Sequence, residues 1–267
     1  MCKFLLEFFK KINAPLEHII ESGATENEEE TEIIETNESE NNEEKEDDME
    51  LVSPVPAPEL KYNGKVILLD NGHAKSTPGK RSPVASDGYQ LFEYEFNRDI
   101  VRRIGEKLKE MGVNYYILVP EIEEDIPLSK RADRANKYCT EFGAGNCFFI
   151  SVHVNAAGMG KEWMNARGWS VWTTKGNTNS DKYATIFYEE AEKLLPQCGM
   201  TLRKDMTDGD PDYEENFTVI YKTKCPAILT ENLFMDNLTD MEFLRSDAGR
   251  NIIAKIHVNA IKRICFE

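Results

Sequence analysis

From Lys65 onward, short apolar runs alternate with amphipathic stretches, and that order admits few architectures. Lys65–Asp70 (KVILLD) carries the signal of a buried strand. In Glu93–Gly112 the residues Phe96, Ile100, Ile104, Leu108 and Met111 repeat at helical spacing, with Gly112 as a stop. Further strands are predicted at Val113–Val119, Cys147–Val154, Trp169–Thr174, Phe217–Tyr221 and Ala227–Glu231. Further helices are predicted at Pro127–Tyr138, Asp181–Leu195, Thr239–Leu244 and Asp247–Ile264. CFFISVHV at 147–154 is mostly apolar, which suits a central strand covered on both faces. The expectation is an α/β domain of three layers, residues 61–267, with a mostly parallel, mixed sheet of about six strands flanked by helices.

The first 60 residues lack that pattern. Residues 21–50 hold fifteen Asp/Glu and one Lys, so almost all of the net charge of −16 sits in one tract. It has too little apolar area to offset the entropy of ordering, and 21–60 is expected to be a disordered linker stiffened by the Pro-rich 53–58. Residues 1–20 are expected to include a short amphipathic helix, with Phe4, Leu5, Phe8, Phe9 and Ile12 on one stripe. Such a helix can dock on the main domain, self-associate or touch a membrane surface. No apolar run approaches the ~18–20 residues that span a bilayer. Glu7 interrupts the apolar start and no small-residue cleavage site follows, so it reads as an uncleaved segment. No basic patch marks a nucleic-acid binder. The six cysteines form no CxxC pair and read as free thiols of a reducing compartment.

In open α/β sheets functional residues gather at the carboxyl ends of strands. Those ends carry Asp70-Asn71-Gly72-His73, Ser151-Val152-His153-Val154-Asn155 and Thr230-Glu231-Asn232, and Glu93 opens the first long helix. The chain has four histidines, and two, His73 and His153, stand at these ends. Two imidazoles, a carboxylate and one open place form a hydrolytic zinc set. A separate carboxylate must then move the proton of the attacking water, and Glu231 is well placed for it. On spacing alone, a hydrogen-bonded structural histidine is the commoner outcome. His18 and His257 lie away from every motif and read as structural or solvent-facing.

Five ordered motifs sharpen this picture. LLDNGH ends at His73, and Glu93 stands four residues before Asn97. Arg131 to Asn136 reads R-x-x-x-A-N, Ser151 to Ala156 reads S-x-H-x-N-A, and Pro226 to Asn237 opens with P-x-x-L-x-E. In these the chain resembles the zinc-dependent N-acetylmuramoyl-L-alanine amidases, amidase type 3, over about 200 residues. The resemblance implies that His73, Glu93 and His153 bind zinc (Zn2+) and that Glu231 is the catalytic carboxylate. Glu95 is the competing ligand, and reads otherwise as a solvated helix residue. The sequence departs from the pattern at Ala74, where a second Gly is common, and in the basic stretch Lys75, Ser76, Lys80 and Arg81, which reshapes the substrate rim. Thr230-Glu231-Asn232 also replaces a smaller residue near the Glu.

The resemblance implies hydrolysis of the amide between N-acetylmuramic acid and L-alanine in peptidoglycan, with a zinc peptidase of the stem peptide or a non-catalytic wall-binding protein as alternatives. Asn155–Trp169 is too short to hold an inhibitory helix, so activity is expected without an activator. Trp163, Trp169, Trp172 and Tyr213 are candidates for the glycan groove or for the core. The chain is expected to be a monomer. Cytoplasmic synthesis with endolysin-like release to the wall is the expected route, with export to the envelope as the alternative.

Overall fold

The computed structural model describes residues 60–266, so the expected helix of 1–20 and nearly all of the linker 21–60 lie outside the described residues. Six strands form one sheet: β1 (Val66–Asn71), β2 (Tyr115–Ile117), β3 (Cys147–Asn155), β4 (Ser170–Thr173), β5 (Tyr213–Glu214) and β6 (Ala227–Phe234). Their order is β2-β1-β3-β6-β4-β5. β2, β1, β3 and β6 run parallel, whereas β4 meets β6 antiparallel and pairs β5 in parallel. The carboxyl ends of β1, β3 and β6 therefore open on one edge.

The helices are α1 (Glu93–Glu110), α2 (Leu128–Phe142), α3 (Asn179–Leu194), α4 (Thr218–Tyr221), α5 (Leu238–Arg245) and α6 (Asp247–Cys265). Side chains alternate across a strand with period two. Ile67 and Leu69 of β1, with Phe148, Ile150 and Val152 of β3, accordingly pack under α1, α3 and α6. Val66, Leu68 and Phe149 face the other way, toward Ala135 and Cys139 of α2 and Val219 and Ile220 of α4. The three layers follow from this alternation. On α1, Phe96, Ile100, Ile104 and Leu108 are all fully buried, and at roughly 1.5–3 kcal/mol for each large apolar side chain they hold the helix to the sheet.

Side-chain caps start the later helices. Thr178 and Asp181 form a capping box on α3, Asn237 accepts from Thr239 and Asp240 at α5, and Ser246 accepts from Gly249 at α6. One predicted strand is wrong: Phe217–Tyr221 is the helical turn α4, not a strand. So short an apolar run does not distinguish strand from helix, and here Val219 and Ile220 are buried on the α2 side. The fifth strand is instead Tyr213–Glu214, where Tyr213 stacks on Trp172 with ring centres 4.7 Å apart. Cys139, Cys147, Cys225 and Cys265 are buried free thiols, and Cys198 is half-buried.

Candidate active site

The same alternation that builds the core points a row of polar side chains to one place. Asp70 continues the Val66–Leu68 face of β1, Ser151 and His153 continue the Phe149 face of β3, and Glu231 continues the Leu229 face of β6. His153 and Glu231 are register partners on adjacent strands. His73 follows β1 by two residues, and Glu93 is the first residue of α1. The ligand atoms of His73, Glu93 and His153 all lie within 4.8 Å of one another. Glu93 Oε1 is 3.2 Å from His153 Nδ1 and 3.5 Å from His73 Nε2. Glu95 is exposed on the same helix and outside this group. His257 is buried in α6, bonded to Thr230 and to the Ile253 carbonyl.

Local backbone features make the convergence work. His73 has φ +62°, a left-handed conformation uncommon outside glycine. Its turn is held by α1, since Asn97 Nδ2 donates to the Gly72 carbonyl at 3.0 Å and Arg98 donates to the His73 carbonyl at 3.0 Å. The motif asparagine thus ties the turn carrying one histidine to the helix carrying the glutamate. Gly72 lies against the His153 ring so closely that a Cβ would stand 2.3 Å from Cε1. Beyond His153 the β3–β6 register shifts, and Leu233 takes φ +70°. This bulge sits two residues past Glu231, as bulges commonly do beside active sites.

A buried chain of hydrogen bonds orients His153. Arg131 of α2, 1% exposed, binds Asp70 Oδ1 at 2.9 Å and the Asn71 carbonyl at 2.8 Å. Ser151 Oγ donates to Asp70 Oδ2 at 2.6 Å, so its oxygen accepts from His153 Nε2–H at 3.1 Å. That assignment places a proton on Nε2 and leaves Nδ1 as the nitrogen facing Glu93. Removing Arg131 would strand the buried Asp70 charge, at a cost of about 3–5 kcal/mol. The first arginine of R-x-x-x-A-N is therefore a support for the site.

The electrostatics fit a cation. Burial pushes the His73 imidazole down to about 3, which keeps it a neutral lone-pair donor. Burial works against the charged form of Glu93, but the hydrogen bond from His153 and positive charge nearby, Lys80 included, outweigh it and hold the carboxyl low. Burial also pushes Glu231 up, to about 7, with the neighbouring Glu93 charge adding to the effect. Two buried oxygens, Glu93 Oε2 and Glu231 Oε2, have no hydrogen-bond partner. A neutral His153 would set its Nδ1 lone pair against a carboxylate oxygen at 3.2 Å, a pairing that a proton or a metal ion between them relieves. Two nitrogens and one carboxylate, converging and free of protons once an ion displaces the one on His153, are the donor set of an open zinc site. A cavity of about 310 Å³ lies alongside, lined by His73, Thr77, Asp125, Leu128, Arg131 and His153 among others.

A sequence profile described as N-acetylmuramoyl-L-alanine amidase matches residues 67–263, about three quarters of the chain. The chain belongs to the N-acetylmuramoyl-L-alanine amidase family. The endolysin of Bacillus phage SPP1 is 28% identical over 204 residues, spanning 75% of this chain and 66% of that protein. N-acetylmuramoyl-L-alanine amidase CwlM of Bacillus licheniformis is 28% identical over 203 residues, 74% of this chain and 67% of that protein. This chain thus spans about two thirds of the length of these relatives. The catalytic domain of CwlV, an N-acetylmuramoyl-L-alanine amidase from Bacillus (Paenibacillus) polymyxa, superposes with a TM-score of 0.58 at 21% identity, covering 75% of this chain and 97% of that one. That likeness places this family member in the same fold.

Several supports of the site were not read from sequence. Asn232, buried beside Glu231, accepts from Trp169 Nε1 at 2.8 Å and donates to the His153 carbonyl at 2.9 Å. The Thr-Glu-Asn departure thus fixes the backbone of the strand that carries His153. Trp169 is fully buried and so belongs to the core, while Trp172 and Tyr213 stack on each other at the sheet edge. Asp236, also buried, accepts from the backbone of Ala157 and Gly158 at 2.9 and 2.7 Å, pinning the loop after β3. The only advance signal for these was their nearness to Glu231 in sequence, with Asn232 next to it inside β6 and Asp236 two residues past the strand.

Proposed function

We propose that the domain hydrolyses the amide joining the lactyl group of N-acetylmuramic acid to L-alanine in peptidoglycan, with zinc held by His73, Glu93 and His153. The convergence of those three side chains around a carboxylate with an unpartnered buried oxygen carries this reading. When bound there, zinc supplies Lewis-acid polarisation of the carbonyl and lowers the pKa of a bound water toward ~7. Glu231 takes the proton of the attacking water and delivers it to the departing alanine nitrogen. A carboxyl that burial lifts toward neutrality is suited both to accept and to return a proton. The Arg131–Asp70–Ser151 chain keeps His153 in one tautomer and one orientation throughout.

The relatives' names, an endolysin and a bacterial amidase, support action on the cell wall, and with it endolysin-like release or export. The short segment after β3 supports activity without an activator protein, and the expected monomer suits a lytic enzyme acting on a polymer. Digesting purified peptidoglycan and analysing the products by mass spectrometry tests the reaction. Free stems beginning with an unmodified L-alanine amine are expected. New termini inside the stem would instead establish the peptidase alternative, and unchanged polymer would establish a binding module.

A further inference from the structure

Of the cations in the basic stretch after His73, none of which the reaction above uses, Lys80 stands nearest the site. Lys80 Nζ stands 3.8 Å from Glu93 Oε2, the oxygen that has no hydrogen-bond partner. At that separation the pair is an ionic contact and not a charge-assisted hydrogen bond, which closes to about 2.7–2.9 Å. The side chain is 40% exposed, and among the described residues it has no other ion-pair partner. Its backbone is fixed. The Lys80 carbonyl accepts from Glu93 N at 3.0 Å, and Arg81 bridges antiparallel to Phe92. On the other side Gly160 approaches so closely that a Cβ would lie 2.5 Å from the Arg81 carbonyl oxygen. The short loop that carries Lys80 is clamped between the start of α1 and the segment after β3.

Glu93 Oε1 faces both histidines, so a dication held there would draw on the carboxylate's charge and weaken the contact between Oε2 and Lys80. The ammonium, 40% exposed, then has charge to spare for a second anion beside the three converging side chains. Peptidoglycan stems offer it a partner. The second stem residue is a glutamate joined through its side chain, and its α-carboxyl group is either free or amidated. Two extended residues reach about 7 Å, so that group falls within range of a lysine beside a metal ligand.

Resting on the amidase reading, we propose that Lys80 is a specificity-determining residue that pairs with the free α-carboxylate of the second stem residue. The enzyme then favours stems bearing that carboxylate over amidated ones. The pair forms in the substrate complex and is not tied to the reacting bond, so it acts mainly on KM.

The test compares two synthetic muramoyl-tripeptides, one with the free carboxylate and one with the amide at that position. Wild type, Lys80→Gln and Lys80→Arg proteins are assayed with zinc content measured for each. Wild type is expected to show a KM about 5–10-fold lower for the acid, with kcat within about twofold, the range of one partly exposed charge-assisted contact. Lys80→Gln should erase the difference and Lys80→Arg should keep it. Calorimetric binding of both fragments to Glu231→Gln protein should show the same preference without turnover. Equal KM values in wild type, or a preference that survives Lys80→Gln, would overturn the proposal while leaving the amidase reading intact. A change in zinc content with no change in the acid-to-amide ratio would also overturn it, making Lys80 a support for Glu93 alone. Cleavage of neither fragment by the wild type would instead remove the amidase reading, and this proposal with it.

Discussion

Glu231→Gln is expected to lower kcat by about 10²–10⁴-fold, the usual contribution of a general acid/base group, with fold and bound zinc retained. The substitution removes a proton acceptor and keeps the side chain's size. Glu231 is register partner to His153 but outside the group of three converging ligand atoms. Its buried Oε2 has no hydrogen-bond partner, so no network is broken by the amide. Stability should hold or rise slightly, because burial penalises the charged form that the variant cannot adopt. Single-turnover release of stem peptide, run beside a zinc assay and a thermal melt, separates these effects. Retention of more than about a tenth of wild-type kcat would give the proton transfer to another group.

Gly72→Ala should damage the site directly through a single methyl. Its Cβ would stand 2.3, 2.5 and 2.7 Å from Cε1, Nδ1 and Nε2 of His153. The ring has little freedom to retreat, because Ser151 holds Nε2 at 3.1 Å and Glu93 faces Nδ1 at 3.2 Å. Gly72 does not have a positive φ, so alanine suits its backbone and the damage is steric. Zinc affinity is expected to fall by at least about 10–100-fold, as when an orienting partner of a metal ligand is lost, with about 1–3 kcal/mol of destabilisation from overpacking. Gly145→Ala, which would meet nothing within 4 Å, is the matched control. Zinc titration and urea unfolding of both variants check the pair. Wild-type zinc affinity in Gly72→Ala would mean that His153 is not held as described.

Elements with clear period were legible in the chain itself. The continuous apolar runs of β1 and β3 and the face of α1 gave the layers, and the strand ends gave His73, His153 and Glu231 as a group. Glu93 was not separable from Glu95 by pattern, since both stand at the start of one helix; the resemblance to the amidases favoured Glu93. In the structure, helical phase turns Glu93 inward and Glu95 to solvent. Phe217–Tyr221 was misread because a run of that length fits either period. The left-handed turn at His73, the bulge at Leu233 and the bonds of Asn97, Asn232 and Asp236 depend on segments distant in sequence, so no local pattern encodes them.

The most direct measurement is zinc K-edge absorption on the purified protein, paired with metal analysis of wild type and of the His73→Ala and His153→Ala variants. One zinc per chain is expected, with nitrogen and oxygen neighbours at ~2.0–2.2 Å and no sulfur shell at ~2.3 Å, and each histidine variant should lose the ion. Zinc bound through thiolate, or zinc held undiminished in either variant, would contradict the site.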